Sequence, residues 1–147
     1  MKLMRDSWTR ERHAIVRRIR SEYGLPARGP AAIYVLHFVK GDEDFSLGHA
    51  RHYLGFVGRD LDHRVVQHRK GDGAKLVRAV MEHGGDFVVA LTFRLPLDRA
   101  RRVERQLKDN GSGVRICPLC AAENRDRRAA VKRVERMRKR LQAVTMH

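Results

Sequence analysis

The stretch from Tyr53 to His68 carries a phenol, a guanidinium and an imidazole within sixteen residues. Up to Val57 it is mostly aromatic or apolar, which predicts a strand, whereas the part after Gly58 has helical spacing. In that helix Arg64 and His68 are four residues apart and lie one above the other on one face. These groups suit a phosphodiester site, because that chemistry needs a group that activates water and positive charge for the phosphate oxygens.

The surrounding pattern predicts the elements that position these residues. Strands are expected over 31–39, 52–57 and 87–93, and helices over 6–23, from after Gly58 to near Arg69, over 74–83, from about 97 onwards, and over 125–144. The first strand should be central, because it is the longest β-branched and aromatic run. The fold class is therefore α/β (α+β), with a small three-stranded antiparallel sheet flanked by helices.

The chain length suits one domain with extensions. Residues 1–30 are predicted to form a basic amphipathic helix and linker, residues 31–110 the folded domain, and residues 111–147 a segment with a cysteine pair and a basic helix. The first eight residues lack an apolar centre, and no apolar run approaches ~18 residues. We therefore expect neither a signal peptide nor a membrane span, and we predict a cytoplasmic protein.

The charge of the chain is strongly positive and unevenly distributed. The 147 residues include 32 Lys and Arg against 17 Asp and Glu, a formal net charge of +15, and the pI is about 11.1. Residues 99–140 hold 15 of the basic and 5 of the acidic residues, so +10 of the +15 lies there. This predicts a polyanionic partner, with nucleic acid first.

The order strand, strand, helix, helix, strand, helix, with the residues it carries, resembles the GIY-YIG nuclease family. Tyr34 ends an Ala-Ile-Tyr segment that stands at the first family motif, and Tyr53 begins a Tyr-Leu-Gly segment at the second. Arg64 and His68 match the Arg-x-x-x-His of the first helix. The fold is therefore expected to be GIY-YIG-like.

Two later segments extend the resemblance. Lys75 ends a Gly-Ala-Lys sequence similar to the one that opens the second helix in the small stand-alone members. Glu104 lies in a segment that resembles the helix bearing the family's single metal-binding glutamate. The sequence departs from the pattern at Ala32, which replaces a glycine, and in the 19-residue separation of the tyrosines, which places an insertion in the hairpin loop.

The resemblance implies a metal-dependent endonuclease that nicks DNA or cleaves it according to its structure. Tyr34 or His68 would orient or activate the water; the imidazole has the more suitable pKa, whereas a phenol near pKa ~10 needs a cation to lower it. Tyr53 would hydrogen-bond the phosphate or the water, and Arg64 would neutralise the phosphate. Glu104 would hold one Mg²⁺ or Mn²⁺. A single carboxylate suits Mg²⁺, because this ion often keeps several waters as its other ligands.

The predicted nucleic-acid contacts are basic side chains near the proposed site and on the last helix. DNA is favoured over RNA as the partner. The last helix also has apolar residues close to heptad spacing, which could pair two copies of the chain as a homodimer. The basic residues are Arg69, Lys70, Lys75, Arg127, Arg128 and Lys132, and the apolar ones are Val131, Val134, Met137, Leu141 and Val144.

Cys117 and Cys120 form a Cys-x-x-Cys pair, which is half of a tetrahedral zinc site. His83 or His147 could complete the site, or two chains could share one. Because the sequence shows no second ligand pair, a reduced cysteine pair is favoured and zinc is not expected.

Two other functions fit the same composition. A non-catalytic nucleic-acid-binding protein on the same fold is favoured by Ala32 and the lengthened hairpin. A structural or interaction protein would use the basic helices on an acidic partner, and salt-dependent binding to any duplex would oppose this second alternative.

Overall fold

The first predicted strand is the centre of the sheet. The computed structural model describes residues 2–111 and 115–145, and in it β1 (Ala31–Lys40) pairs on one edge with β4 (Asp86–Leu95). Its other edge pairs with β3 (His52–Val57) and, further along, with the short β2 (Glu43–Asp44). All pairings are antiparallel, as predicted.

The predicted number of three strands is wrong, because the sheet has four. The additional strand β2 comes from the acidic loop between the two tyrosine-bearing strands. The chain turns at Gly41, in the left-handed conformation (φ 61°), and Glu43 and Asp44 pair with Lys40 and Val39. The insertion in the hairpin is therefore partly ordered as sheet.

The described residues form five helices in the predicted order. These are α1 (Lys2–Tyr23), α2 (Leu61–Lys70), α3 (Lys75–Glu82), α4 (Leu97–Asp109) and α5 (Pro118–Thr145). The first and last helices begin earlier than predicted. α5 opens at a proline, which a first helical turn accepts because its missing N–H would have no partner there.

The helices cover the two faces of the sheet. Helices α1 and α4 and the start of α5 share one buried cluster with Ile33, Val35 and Leu54, and α3 shares the other with Tyr34 and Leu36, against which α2 also packs. Both terminal extensions thus contribute to the core. Trp8 of α1 also donates from Nε1 to the carbonyl of Ala90 at 2.9 Å, at an irregularity in the β1–β4 pairing.

Neighbouring residues of β3 belong to different faces, because side chains alternate along a strand. Tyr53 pairs with Leu36 and faces α2 and α3, whereas His52 pairs with His37 and faces the cysteine pair at the start of α5. The same two strands therefore supply two separate groups of polar side chains.

Most of α5 projects from the core. Every residue from Glu123 to Thr145 is exposed, and the helix is held at its base, where Arg125 pairs with Glu11 of α1. The predicted apolar residues of the stripe are among the exposed ones. Among the helices that the structure describes, none combines the length and the apolarity needed to cross a membrane.

Candidate functional site

Tyr34 and His68 meet in the core on the face covered by α2 and α3. The Oη atom of Tyr34 is 2.8 Å from Nε2 of His68, and both residues are 0% exposed. Helix α2 is fixed at both ends: the Asp60 carboxylate accepts a hydrogen bond from the backbone N–H of His63, and Gly71 ends the helix in the left-handed conformation. These caps set the position from which His68 reaches the sheet.

Tyr53 completes a cluster of three rings. Its ring centroid is 6.1 Å from that of Tyr34 and 5.4 Å from that of His68. Gly55 permits this packing, because a Cβ there would lie 2.6 Å from Oη of Tyr34 and 2.8 Å from Cε1 of Tyr53. Any side chain at this position would separate the two tyrosines. Unlike Tyr34, Tyr53 is partly exposed.

The imidazole of His68 is held as the neutral form. The backbone N–H of Ala74 donates to Nδ1 at 3.4 Å, so the hydrogen-bond pattern assigns the proton to Nε2, which donates to Tyr34. Burial and, after it, the positive charge of Arg64 lower the pKa of His68. Gly73 lies against the same ring, where a Cβ would be 2.1 Å from Nδ1.

The phenol of Tyr34 also keeps its proton in this arrangement. Burial raises the pKa of Tyr34 well above the ordinary phenol value, and the neighbouring Tyr53 raises it further. The guanidinium of Arg64 lies beside the hydroxyl and acts in the opposite direction. The buried pair is therefore uncharged, next to one cation.

Arg64 is the cation at the edge of this cluster. Its Nη1 is 3.4 Å from Oε1 of Gln67, and its buried Nε has no hydrogen-bond partner within the described part of the chain. A buried donor left without a partner costs about 1–3 kcal/mol. A groove of about 320 Å³ lies beside it, lined in part by Arg59, Asp60 and Gln67. An anion in this groove could pair with the guanidinium of Arg64, and it would reach the buried Nε only if this side chain turned towards the groove.

Glu104 lies near the rim of the tyrosine cluster. Its carboxylate pairs with Lys108 one helical turn later at 2.5 Å, and Nζ of Lys108 is 5.9 Å from the ring centroid of Tyr53. Glu104 is largely covered, with 15% of its side chain exposed. Within the described residues, Glu104 is thus linked to Tyr53 only through Lys108, which contacts both.

Glu104 offers a single carboxylate, which is paired with Lys108. In residues 2–111 and 115–145, the groups that gather three or more His, Cys, Asp or Glu ligands do not include Glu104. A metal there would have one protein carboxylate and would take its other ligands from water or phosphate. Mg²⁺ accepts this environment, because it dehydrates reluctantly and is often held by one or two carboxylates.

The basic residues predicted near the site differ in the contacts that their side chains make. Arg69 pairs with Asp86 at 2.9 Å and its guanidinium lies 4.5 Å from the ring centroid of Phe87. Lys70 and Lys75 are exposed at the end of α2 and the start of α3. The two lysines are thus the more accessible cations of this group.

The basic residues predicted on α5 lie on its projecting part. Arg127, Arg128 and Lys132 are exposed, and Arg127 pairs with Glu123 at 3.0 Å. A solvated helix with this composition can contact phosphates without reading bases.

Ala32 stands in β1 between two partners, opposite Val57 and Arg94. It is 2% exposed, and no described residue other than glycine has a positive φ. Ala32 therefore lies in ordinary extended backbone, where a side chain is accepted.

A second group of polar side chains lies on the opposite face of the sheet. His37, His52, Cys117 and Cys120 each offer one ligand atom, and these four atoms lie within 4.8 Å of one another. The hydrogen bond from Cys117 and then, against the effect of burial, those from His37 and His52 lower the pKa of Cys120, whereas the bond to Cys120 and burial raise the pKa of Cys117. This group could hold a metal ion, and its His and Cys donors suit zinc better than Mg²⁺.

The expectation that the cysteine pair lacks further ligands is therefore wrong. His83, one proposed partner, is exposed and its Nδ1 bonds the carbonyl of Ala79, while His147 lies outside the described residues. The actual neighbours are His37 and His52, which sit 15 residues apart on paired strands. The only hint in the sequence is that each histidine lies in a predicted strand or at its start; that the two strands place them opposite each other is shown by the structure.

Comparisons with other proteins leave the family open. No family model, no curated protein and no solved structure matches this chain.

Proposed function

We propose that this protein is a metal-dependent endonuclease of the GIY-YIG type that nicks DNA. The observation that carries the proposal is the cluster of Tyr34, Tyr53 and His68 with Arg64 at its edge, whose buried Nε has no partner among the described residues. The order of the strands and helices, and the presence of these residue types at the matching positions, support the same family.

Arg64 and Tyr53 are the members of the cluster that can meet a phosphate. Both are partly exposed, whereas Tyr34 and His68 have no exposed surface. A phosphate oxygen bound at Arg64 would pair with the guanidinium, and would satisfy the buried Nε if the side chain turned towards the groove, so that positive charge lies where negative charge develops during hydrolysis. Tyr53, beside it, would hydrogen-bond the phosphate or the attacking water.

The hydrogen bonds of the buried pair leave Tyr34, rather than His68, as the group that could take a proton from water, and only as the phenolate, because burial keeps the phenol protonated. Nδ1 of His68 accepts from Ala74, and the assigned proton on Nε2 is donated to Tyr34. The imidazole thus has no free acceptor. The phenol would first give its proton to solvent, and the positive or partly positive hydrogens of His68 and Arg64 near its oxygen would stabilise the phenolate. Water would reach this oxygen when Arg64 or Tyr53 moves aside.

Glu104 would hold the metal, Mg²⁺ or Mn²⁺, beside Tyr53. A bound Mg²⁺ supplies positive charge to the phosphate oxygens and to the leaving oxygen. Lys108, now paired with the carboxylate, would release it when the metal binds, and would then be free to contact the DNA backbone.

The charge of the chain provides the affinity for DNA. Lys70 and Lys75 lie near the site, and Arg127, Arg128 and Lys132 lie on the projecting part of α5. Such contacts fix position and bind any sequence. One cluster per chain cuts one strand at a time, so a monomer is expected to nick.

The test is cleavage of supercoiled plasmid with Mg²⁺ or with EDTA. We expect nicked circles before linear DNA with Mg²⁺, and no product with EDTA. Glu104→Ala should raise the Mg²⁺ concentration for half-maximal cleavage at least about tenfold, because it removes the carboxylate ligand. Glu82→Ala is the matched control, since Glu82 also pairs with a cation within its own helix, and it should leave the metal requirement unchanged.

A specific observation favours a second function, a non-catalytic nucleic-acid-binding protein. The complete burial of Tyr34 and His68 is also what a packed core would show. Folded protein that binds duplex DNA in a salt-dependent manner, yet cleaves neither plasmid nor branched duplex with Mg²⁺ or Mn²⁺, would establish this alternative and overturn the endonuclease proposal.

A further inference from the structure

The four ligand atoms on the second face of the sheet are spaced as zinc ligands are. Nδ1 of His37 is 3.1 Å from Nε2 of His52, 3.4 Å from Sγ of Cys117 and 3.7 Å from Sγ of Cys120. Sγ of Cys120 is 3.2 Å from Nε2 of His52. A tetrahedral zinc ion with bonds of about 2.0–2.3 Å separates its ligand atoms by about 3.3–3.8 Å. These four separations need adjustments of only a few tenths of an ångström, and the widest pair of the group, within 4.8 Å, would close by up to about 1 Å on binding the ion.

Hydrogen bonds to groups other than the four ligand atoms also orient the histidine and cysteine side chains. Nε2 of His37 is 2.7 Å from Oδ1 of Asp44, which leaves Nδ1 directed at the other three ligands. Zinc-bound histidines commonly donate their second ring N–H to a carboxylate, which fixes the tautomer and the orientation of the ring. Asp44 belongs to β2, so the strand that the sequence did not predict carries this partner.

The cysteines sit where a helix begins. Cys117 directly precedes α5 and Cys120 lies in its first turn. The backbone N–H groups of Leu119 and Cys120 hydrogen-bond to the sulfur of Cys117, which fixes the position of this sulfur at the start of the helix.

The surroundings of the group are those of a closed site. Cys117 is 0%, His37 3% and Cys120 6% exposed, and His52 is partly exposed. Four protein ligands complete a tetrahedron without an open position. Two thiolates also balance the charge of a divalent ion, so that burial of the ion is not opposed by a net charge.

We propose that His37, His52, Cys117 and Cys120 bind one structural Zn²⁺, which joins strands β1 and β3 to the start of α5. The ligands are separated by 80 residues between His37 and Cys117, so the metal connects parts of the chain that are distant in sequence. Its position on the face opposite Tyr34 and Tyr53 makes it independent of the proposed hydrolytic site. Asp44 is a positioning residue for His37.

The first measurement is the metal content and the cobalt spectrum of the wild-type protein. We expect one zinc per chain after purification with zinc in the medium, released together with two titratable thiols by a mercurial. Replacement by Co²⁺ should give the strong visible bands of a tetrahedral ion with charge transfer from two thiolates. An octahedral spectrum without that charge transfer, or a chain that stays free of zinc after reduction and incubation with excess Zn²⁺, would overturn the proposal.

The second measurement uses variants that keep all four ligands. Asp44→Asn should weaken Zn²⁺ binding, measured by competition with a chromophoric chelator, by about 10–100-fold. Asp44 is 41% exposed, so the chain is expected to fold. Asp42→Asn, an exposed aspartate in the same hairpin, is the matched control and should bind as the wild type does. Equal affinities for the two variants would contradict the assignment of His37 as a ligand through Nδ1.

Discussion

Replacing Arg64 by leucine is expected to slow DNA cleavage by about 10²–10³-fold, the loss that follows removal of one preorganised group that stabilises transition-state charge. The same substitution should change the melting temperature little, because the lost contacts with Gln67 and the Tyr34 hydroxyl are offset by the removal of an unsatisfied donor. The buried Nε of Arg64 has no partner within the described residues, so leucine removes an unsatisfied donor, which costs about 1–3 kcal/mol when buried, and keeps much of the apolar contact. An anion-binding site lowers the stability of the fold in this way, because a donor stays unpaired until the anion binds.

The measurement combines single-turnover cleavage of a labelled duplex with thermal unfolding of the same preparations. Arg78→Leu is the matched control, because Arg78 is an exposed arginine on α3 paired with Glu82, and it should change neither quantity appreciably. Arg64→Lys should restore only part of the rate, since an ammonium group keeps the charge and lacks the Nε donor. If Arg64→Leu unfolds at a clearly lower temperature and cleaves as fast as the wild type, Arg64 has a structural role only.

Gly73→Ala is expected to destabilise the fold by about 1–3 kcal/mol, the usual cost of inserting a methyl group where no space exists. A Cβ at this position would lie 2.1 Å from Nδ1 of His68. The imidazole cannot retreat, because it is buried between the rings of Tyr34, Tyr53 and Phe87. The backbone of Gly73 has no positive φ, so the cost comes from the contact with His68 alone.

A double-mutant cycle tests this contact directly. In the background of His68→Ala the same glycine substitution should cost much less, which gives a coupling energy of about 0.5–3 kcal/mol. Urea unfolding of the wild type, both single variants and the double variant provides the four free energies. Gly58→Ala serves as the control, because its Cβ would meet only Cδ1 of Leu97 at 3.5 Å. Additive effects at Gly73 and His68 would show that the imidazole does not lie against this glycine.

The sequence predicted correctly the features that depend on residues close together in the chain. The four-residue spacing of Arg64 and His68 predicts that they share one side of a helix, and both border the Tyr34 hydroxyl. The strands follow from β-branched and aromatic runs, and the order of the elements was confirmed. The burial of Tyr34 and His68 could not be predicted in this way, because it depends on how α2 and α3 close over the sheet.

The ligands of the second cluster were missed for a related reason. His37 and His52 face each other only because the hairpin pairs them in one register, and they reach Cys117 only because α5 begins beneath the same face. Neither relation has a signature within a window of the sequence. The two-residue strand β2 is likewise formed by pairing, since Glu43 and Asp44 have little preference for extended structure.

The alternation of side chains between the two faces along β3 limits which insertions and deletions the protein can accept. His52 and Tyr53 are neighbours that serve opposite faces, so a single-residue insertion or deletion that shifted the register of this strand would turn the histidine towards α2 and the tyrosine towards the cysteines. Both groups of polar side chains would be lost in one event. Length changes should therefore be tolerated in the hairpin loop between β2 and β3 and excluded from the strand itself.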